Sequence, residues 1–237
     1  MNKIPAGSTD NDHGVTASPR RRVAFYGGSF DPPHRGHLAI AHALLTQFEL
    51  DAFVFIPAFH APHKFRKQPT SAYDRYAMLC LITDDEPNIS VSKMEIEMPE
   101  RPYSVETLAR LKAEMPDDEI FFVMGADSWM DITTWREWEK VLTMTNHIVV
   151  TRPGIEMGFD HVTNEIRERI VDMRAKSEPG AVATGFRNSQ SIYITDAVEM
   201  NISATEIRRK IHENDRSWLT DVPAEVANYV EKYQIYN

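Results

Sequence analysis

The chain has 237 residues, 42% of them apolar, a formal net charge of -9 and a single cysteine. That length suits one large α/β domain. The acidic balance excludes a general nucleic-acid-coating protein, while a small anionic ligand needs only a locally basic pocket. Cys80 cannot form an intramolecular disulfide and is expected as a buried thiol in an apolar helical run. No apolar run approaches membrane-spanning length, so a cytoplasmic chain with neither membrane nor nucleic acid as partner is expected.

Residues 1–21 are polar, without apolar periodicity or the apolar core of a signal peptide, and read as a disordered extension; residues 22–237 read as one domain. The triplet Arg20-Arg21-Arg22 reads as solvated. Val23-Ala24-Phe25-Tyr26 then begins a buried strand that breaks at Gly27 and Gly28, passes Ser29, Phe30, Asp31 and two prolines, and delivers His34 and His37 to the start of a helical pattern at Leu38, Ala41, Leu45 and Phe48. Glycines admit a ligand close to the backbone, and a helix N-terminus favours negative charge. Strand, loop and helix together therefore read as a phosphate site.

A second buried strand spans Asp51 to Pro57, and strand–helix–strand at this spacing implies a right-handed crossover and a parallel sheet. The next loop adds His60, His63 and Lys64; with His34 and His37 these match no zinc spacing, and no metal ligands are assigned. Ser71 to Asp74 reads as a capping box, opening a helix whose inward face is Tyr76, Leu79, Cys80 and Ile82. Ile89 to Met98 alternates and reads as one strand. Ser104 reads as a helix N-cap with Thr107 three positions on.

The strand Glu119 to Met124 ends at Gly125-Ala126-Asp127, placing a carboxylate where the ligand crevice of a parallel sheet lies, and a helix N-cap there is an equally good reading. Trp135 and Trp138 fit one helical face against the core. A strand covers His147 to Val150, a polar helix Asn164 to Ala175, and another strand Ser191 to Thr195. Ser203 caps a helix beginning at Ala204, with Glu206 at the reciprocal position; Thr205 and Arg208 share a face, making a second anion site. Pro223 suits a first helical turn, and Val222, Val226, Tyr229, Val230 and Tyr233 form the apolar face of a closing helix.

Gly27-Gly28-Ser29-Phe30-Asp31-Pro32 followed by His34, Gly36 and His37 resembles the G-G-[ST]-F-D-P-x-H-x-G-H signature of the nucleotidylyltransferase superfamily. Asn201 to Arg208 is similar to its I-S-[ST]-x-x-I-R, with Ala204 departing from the pattern. The nicotinate mononucleotide adenylyltransferase branch is resembled through Pro57…Pro62-His63-Lys64, with one extra residue between the prolines, and through Tyr103-Ser104…Thr107, Gly125-Ala126-Asp127, Thr134-Trp135, Arg152-Pro153-Gly154 and the C-terminal V-P-x-x-V-x-x-Y-V.

The resemblance implies a Rossmann-like, doubly wound, mostly parallel sheet with a small helical C-terminal part. It implies transfer of AMP from ATP to nicotinic acid mononucleotide, giving deamido-NAD+ and pyrophosphate, with Mg2+ accompanying ATP. Catalytic roles are implied for His34, His37, Lys64 and Arg208. ATP contacts are implied for Gly27, Gly28, Ser29, Phe30, Asp127, Ser203 and Thr205. The acceptor would meet Tyr103, Ser104, Thr107, Trp135 and Arg152, with the indole of Trp135 stacked on the pyridine ring. Two anion sites without a nucleophile–base pair point to direct transfer rather than a covalent intermediate. Phosphopantetheine adenylyltransferases share the histidine motif, and a non-catalytic ATP sensor is the reading from another class; the oligomeric state stays open, a homo-oligomer included.

Overall fold

The computed structural model describes residues 20–59, 70–98, 102–151, 157–174, 190–198 and 200–236. In chain order the elements are β1 (Arg22–Gly28), α1 (Arg35–Gln47), β2 (Ala52–Pro57), α2 (Ala72–Thr83), β3 (Ile89–Val91), α3 (Ser104–Glu114), β4 (Glu119–Gly125), α4 (Ala126–Met130), α5 (Trp138–Met144), β5 (Asn146–Val150), α6 (Asn164–Arg167), β6 (Ile170–Asp172), β7 (Ile192–Thr195), α7 (Ala204–His212) and α8 (Ala224–Tyr233). Short 3-10 turns at Ile132–Thr134 and Arg216–Thr220 interrupt the order.

Among the described residues the strands form one seven-stranded sheet in the order β3-β2-β1-β4-β5-β7-β6, every pairing parallel. The run of buried residues along β1, β4 and β5 follows from helices covering both faces. Alternate residues serve opposite sides. Ala24, Tyr26, Phe121 and Val123 join Leu44, Leu79, Ile207 and Val226 in one core, while Val23, Phe25, Ile120 and Phe122 join Leu108, Trp129 and Val141 in the other. The order reverses between β1 and β4, and at such a switch point the carboxyl ends of the strands leave a crevice. The doubly wound parallel architecture expected from the sequence is what the chain adopts.

Several local expectations change. The alternating stretch from Ile89 pairs only as far as Val91. Ser92 N–H still reaches Phe55 O (2.8 Å), then Ile96 N–H closes a turn on Lys93 O (2.8 Å), which buries Met94 and Ile96 without a strand. The polar helix stops at Arg167; β-branched Ile170 and Val171 then join the sheet edge as β6. Ser71 precedes α2 without a side-chain cap bond, and Asp74 instead accepts from Tyr229 Oη–H at 2.9 Å. The inward face of α2 is Ala72, Arg75, Met78, Leu79 and Ile82, leaving Tyr76 and Cys80 half-buried.

Glu206 turns from its capping position to pair with Arg209. Pro223 stands one position before the first turn of α8, and Tyr233 is exposed. Arg22 is less solvated than expected, pairing with Glu119 (3.4 Å) and Glu49 (3.6 Å). The expected N-terminal extension lies outside the described residues up to position 19.

Candidate active site

The crevice is a cleft of about 600 Å3. Its first wall is the turn after β1. A Cβ at Gly28 would stand 2.8 Å from the Phe30 ring, and Phe30 holds a positive φ of 49°, so the chain doubles back tightly here and only glycine fits at Gly28. The Phe30 ring is buried edge-on against His37 (centroids 4.9 Å), Tyr26 (5.3 Å) and Phe55 (5.3 Å). Its side chain therefore props the histidine rather than reaching far into the cleft.

His34 is the N-cap of α1 and His37 sits three residues on. Their rings stack with centroids 3.6 Å apart and planes 20° apart. The main-chain N–H of His34 donates to Nδ1 of His37 (3.1 Å), so in the neutral ring the proton of His37 resides on Nε2. His34 is 7% exposed, His37 somewhat more, and both line the cleft.

The second wall is the start of α7. Ser203 Oγ accepts from Glu206 N–H at 3.2 Å, capping the helix as the sequence suggested. One turn in, Arg208 Nη2 donates to Thr205 Oγ1 (3.3 Å), and Nη1 donates to the carbonyl oxygen of Asp31. A Cβ at Gly36 would lie 3.9 Å from Ile202, so the two helix starts face one another. The imidazoles and the guanidinium thus share one cleft.

Beneath the first wall lies a residue with no role in the sequence reading. Arg75, 1% exposed, donates to the carbonyl oxygens of Ser29 (2.5 Å), Ala58 (2.6 Å) and Thr70 (3.0 Å). Burial lowers its pKa, opposed by the charge of Asp31. One buried cation therefore ties the β1 turn to the end of β2. The signal was present: Arg75 falls on the same helical period as Ala72, Leu79 and Ile82, and an arginine on a buried face needs acceptors.

The rest of the cleft lining includes Asp127, Tyr103, Ser104, Trp135 and Arg136. Asp127 lies in the first turn of α4, after the N-cap Gly125, and is exposed toward the cleft. The N-cap of α3 is Tyr103 rather than Ser104. Its N–H donates to Glu106 (2.8 Å), the residue three positions on, which leaves Ser104 as the first helical residue. Arg136 lies over the Tyr103 ring (5.0 Å) and pairs with Glu106 at 3.4 Å. Trp135 ends the 3-10 turn while Trp138 begins α5, so the two indoles do not share a helical face.

Comparison with known proteins decides the family. Residues 25–210 match the cytidylyltransferase-like family model. A probable nicotinate-nucleotide adenylyltransferase of Citrifermentans bemidjiense is 36% identical over 91% of this chain and 98% of its own length; that of Desulfatibacillum aliphaticivorans is 33% identical over 91% and 99%. The chain belongs to the nicotinate-nucleotide adenylyltransferase family. The fold agrees with a solved structure, Plasmodium falciparum nicotinic acid mononucleotide adenylyltransferase complexed with APC. The TM-score is 0.67 at 18% identity, covering 92% of this chain and 98% of that one.

In this adenylyltransferase cleft one expected acceptor contact moves. Thr107 is fully buried behind Glu95, donating to its Oε1 at 2.9 Å, and does not line the cleft; its place is taken by Glu95, which does. Burial pushes the Glu95 carboxyl up to about 7, partly opposed by the Thr107 hydroxyl and by Arg75. Lys64 and Arg152 lie outside the described residues.

Proposed function

We propose that this adenylyltransferase joins nicotinic acid mononucleotide to the AMP of ATP by direct in-line transfer. A phosphate oxygen of the mononucleotide attacks the α-phosphorus of ATP, and the bond from that phosphorus to the bridging β-phosphate oxygen breaks. Pyrophosphate leaves with the electron pair, deamido-NAD+ remains, and no covalent enzyme intermediate forms. The observation that supports this reading is the convergence of His34, His37, Thr205 and Arg208 on one cleft that Trp135 also lines.

In this reading Nε2–H of His37 donates to the oxygens around the α- and β-phosphates, where charge accumulates as the bond breaks. His34 supports it from the stacked position, and Gly27 and Gly28 let the backbone come close. Arg208, Thr205 and Ser203 at the opposing helix start take the β- and γ-phosphates, with Lys64 assisting. Asp127 accepts from ribose hydroxyls. Trp135 stacks on the pyridine ring, the Tyr103–Ser104 backbone meets the acid group, and Arg152 belongs to the acceptor side.

Among the described residues no group of three or more His, Cys, Asp or Glu side chains is arranged to hold a metal ion. Mg2+ would accompany ATP and supply neutralisation of phosphate charge. The chain's own residues position the two phosphates in line and stabilise the leaving pyrophosphate.

The test is pyrophosphate release from ATP with nicotinate mononucleotide, nicotinamide mononucleotide and phosphopantetheine as acceptors. Fastest release with the nicotinate nucleotide is expected. Preference for phosphopantetheine would overturn the acceptor, and ATP binding without release would overturn the transferase reading.

A further inference from the structure

The last described residues run back to the turn after β1. α8 is anchored by Val226 and Val230, and Gln234 ends it in the left-handed conformation. Ile235 N–H bonds to Val230 O (3.1 Å), and Tyr236, with a φ of 74°, directs its ring inward. Its hydroxyl donates to Asp31 Oδ1 at 2.7 Å. Asp31 belongs to the β1 turn and is 7% exposed; its other oxygen, Oδ2, lies 3.9 Å from Arg208 Nη1, and its main-chain oxygen accepts from the same guanidinium. Burial and the neighbouring carboxylate hold the Tyr236 phenol well above its ordinary pKa, so it stays a donor, and Thr70 contributes a further hydroxyl to it.

Chemistry explains why this matters for an anion site. A carboxylate beside a phosphate-binding arginine competes with the phosphate for the guanidinium. Here one carboxylate oxygen is occupied by Tyr236, and the second stands beyond a short ion-pair contact, so Arg208 spends one nitrogen on a main-chain carbonyl and keeps its other edge by Thr205. Remove the phenol hydroxyl, and Asp31 is free to close a two-pronged pair with Arg208.

We propose that Tyr236 is a positioning residue for the triphosphate: it holds Asp31 away from Arg208 so that the guanidinium stays available to ATP. The proposal rests on the reading of Arg208 as the triphosphate ligand. The test is Tyr236→Phe, which keeps the ring in place, examined by calorimetric titration with ATP and by steady-state kinetics. The expected result is a roughly tenfold weaker ATP affinity and a matching rise in KM for ATP, with KM for nicotinate mononucleotide unchanged.

In the Asp31→Asn background, where the competing charge is gone, Tyr236→Phe is expected to change ATP affinity less than twofold. Unchanged ATP affinity in Tyr236→Phe overturns the proposal, and so does an equal loss in both backgrounds, which would mark a merely structural role. A parent enzyme that binds ATP yet fails to adenylate nicotinate mononucleotide overturns the acceptor reading alone.

Discussion

The two ends of the cleft are built on different principles. At the proposed phosphate end the polar groups are tied to one another, His34 N–H to His37, Arg75 to Ser29, and Tyr236 and Arg208 to Asp31, with His34, Asp31 and Arg75 buried. At the acceptor end the groups stand at the surface. Tyr103 is 42% exposed, and Arg136 reaches it from solvent through a ring contact and an ion pair with Glu106. Reaction demands rigidity where charge develops, because donors already in place incur no reorganisation at the transition state. Recognition of an aromatic ring asks for less, since a stacked platform tolerates small displacements.

This contrast sets the order of expected losses. His37→Ala removes the donor proposed for the reacting phosphates and should lower kcat by about 100- to 1000-fold with far-UV circular dichroism unchanged; single-turnover AMP transfer would measure it. His34→Ala should fall in the same range. A folded His37→Ala enzyme with near-normal turnover would break the comparison at its stronger end. Arg208→Ala should weaken ATP affinity by about 10- to 100-fold, read by titration, and leave affinity for the mononucleotide alone.

At the other end Trp135→Ala should raise KM for nicotinate mononucleotide by about tenfold while kcat changes little, with Trp135→Phe recovering part of the loss. The last effect concerns stability rather than turnover. Glu95 has an ordinary pKa of 4.5 and is pushed up to about 7 in the folded chain, so between those values the folded state holds a proton that the unfolded chain has shed. Its contribution is fully present below pH 4.5 and declines as pH rises toward 7, with a slope of at most about 1.4 kcal/mol per pH unit. Glu95→Gln should flatten that slope in urea unfolding series across this range.

The phosphate end was the legible one. Gly27, Gly28, His34 and His37 stand together in sequence, and Ser203, Thr205 and Arg208 stand together at one helix start, so spacing alone grouped each set. The parallel sheet was equally readable, because buried strands alternated with helical periods. What stayed hidden were contacts between distant segments. Tyr236 follows the closing helix and Arg75 lies within another, and nothing local says that either meets Asp31 or Ser29. Thr107 was misassigned for the same reason, as its partner Glu95 lay in a stretch read as a regular strand.

The hydrogen bond from Arg208 to Asp31 spans 177 positions, and the one from Tyr236 spans 205. A growing chain halted before Ser203 would own both imidazoles yet lack the guanidinium that shares their cleft. The cleft is therefore complete only once α7 has been made, late in synthesis.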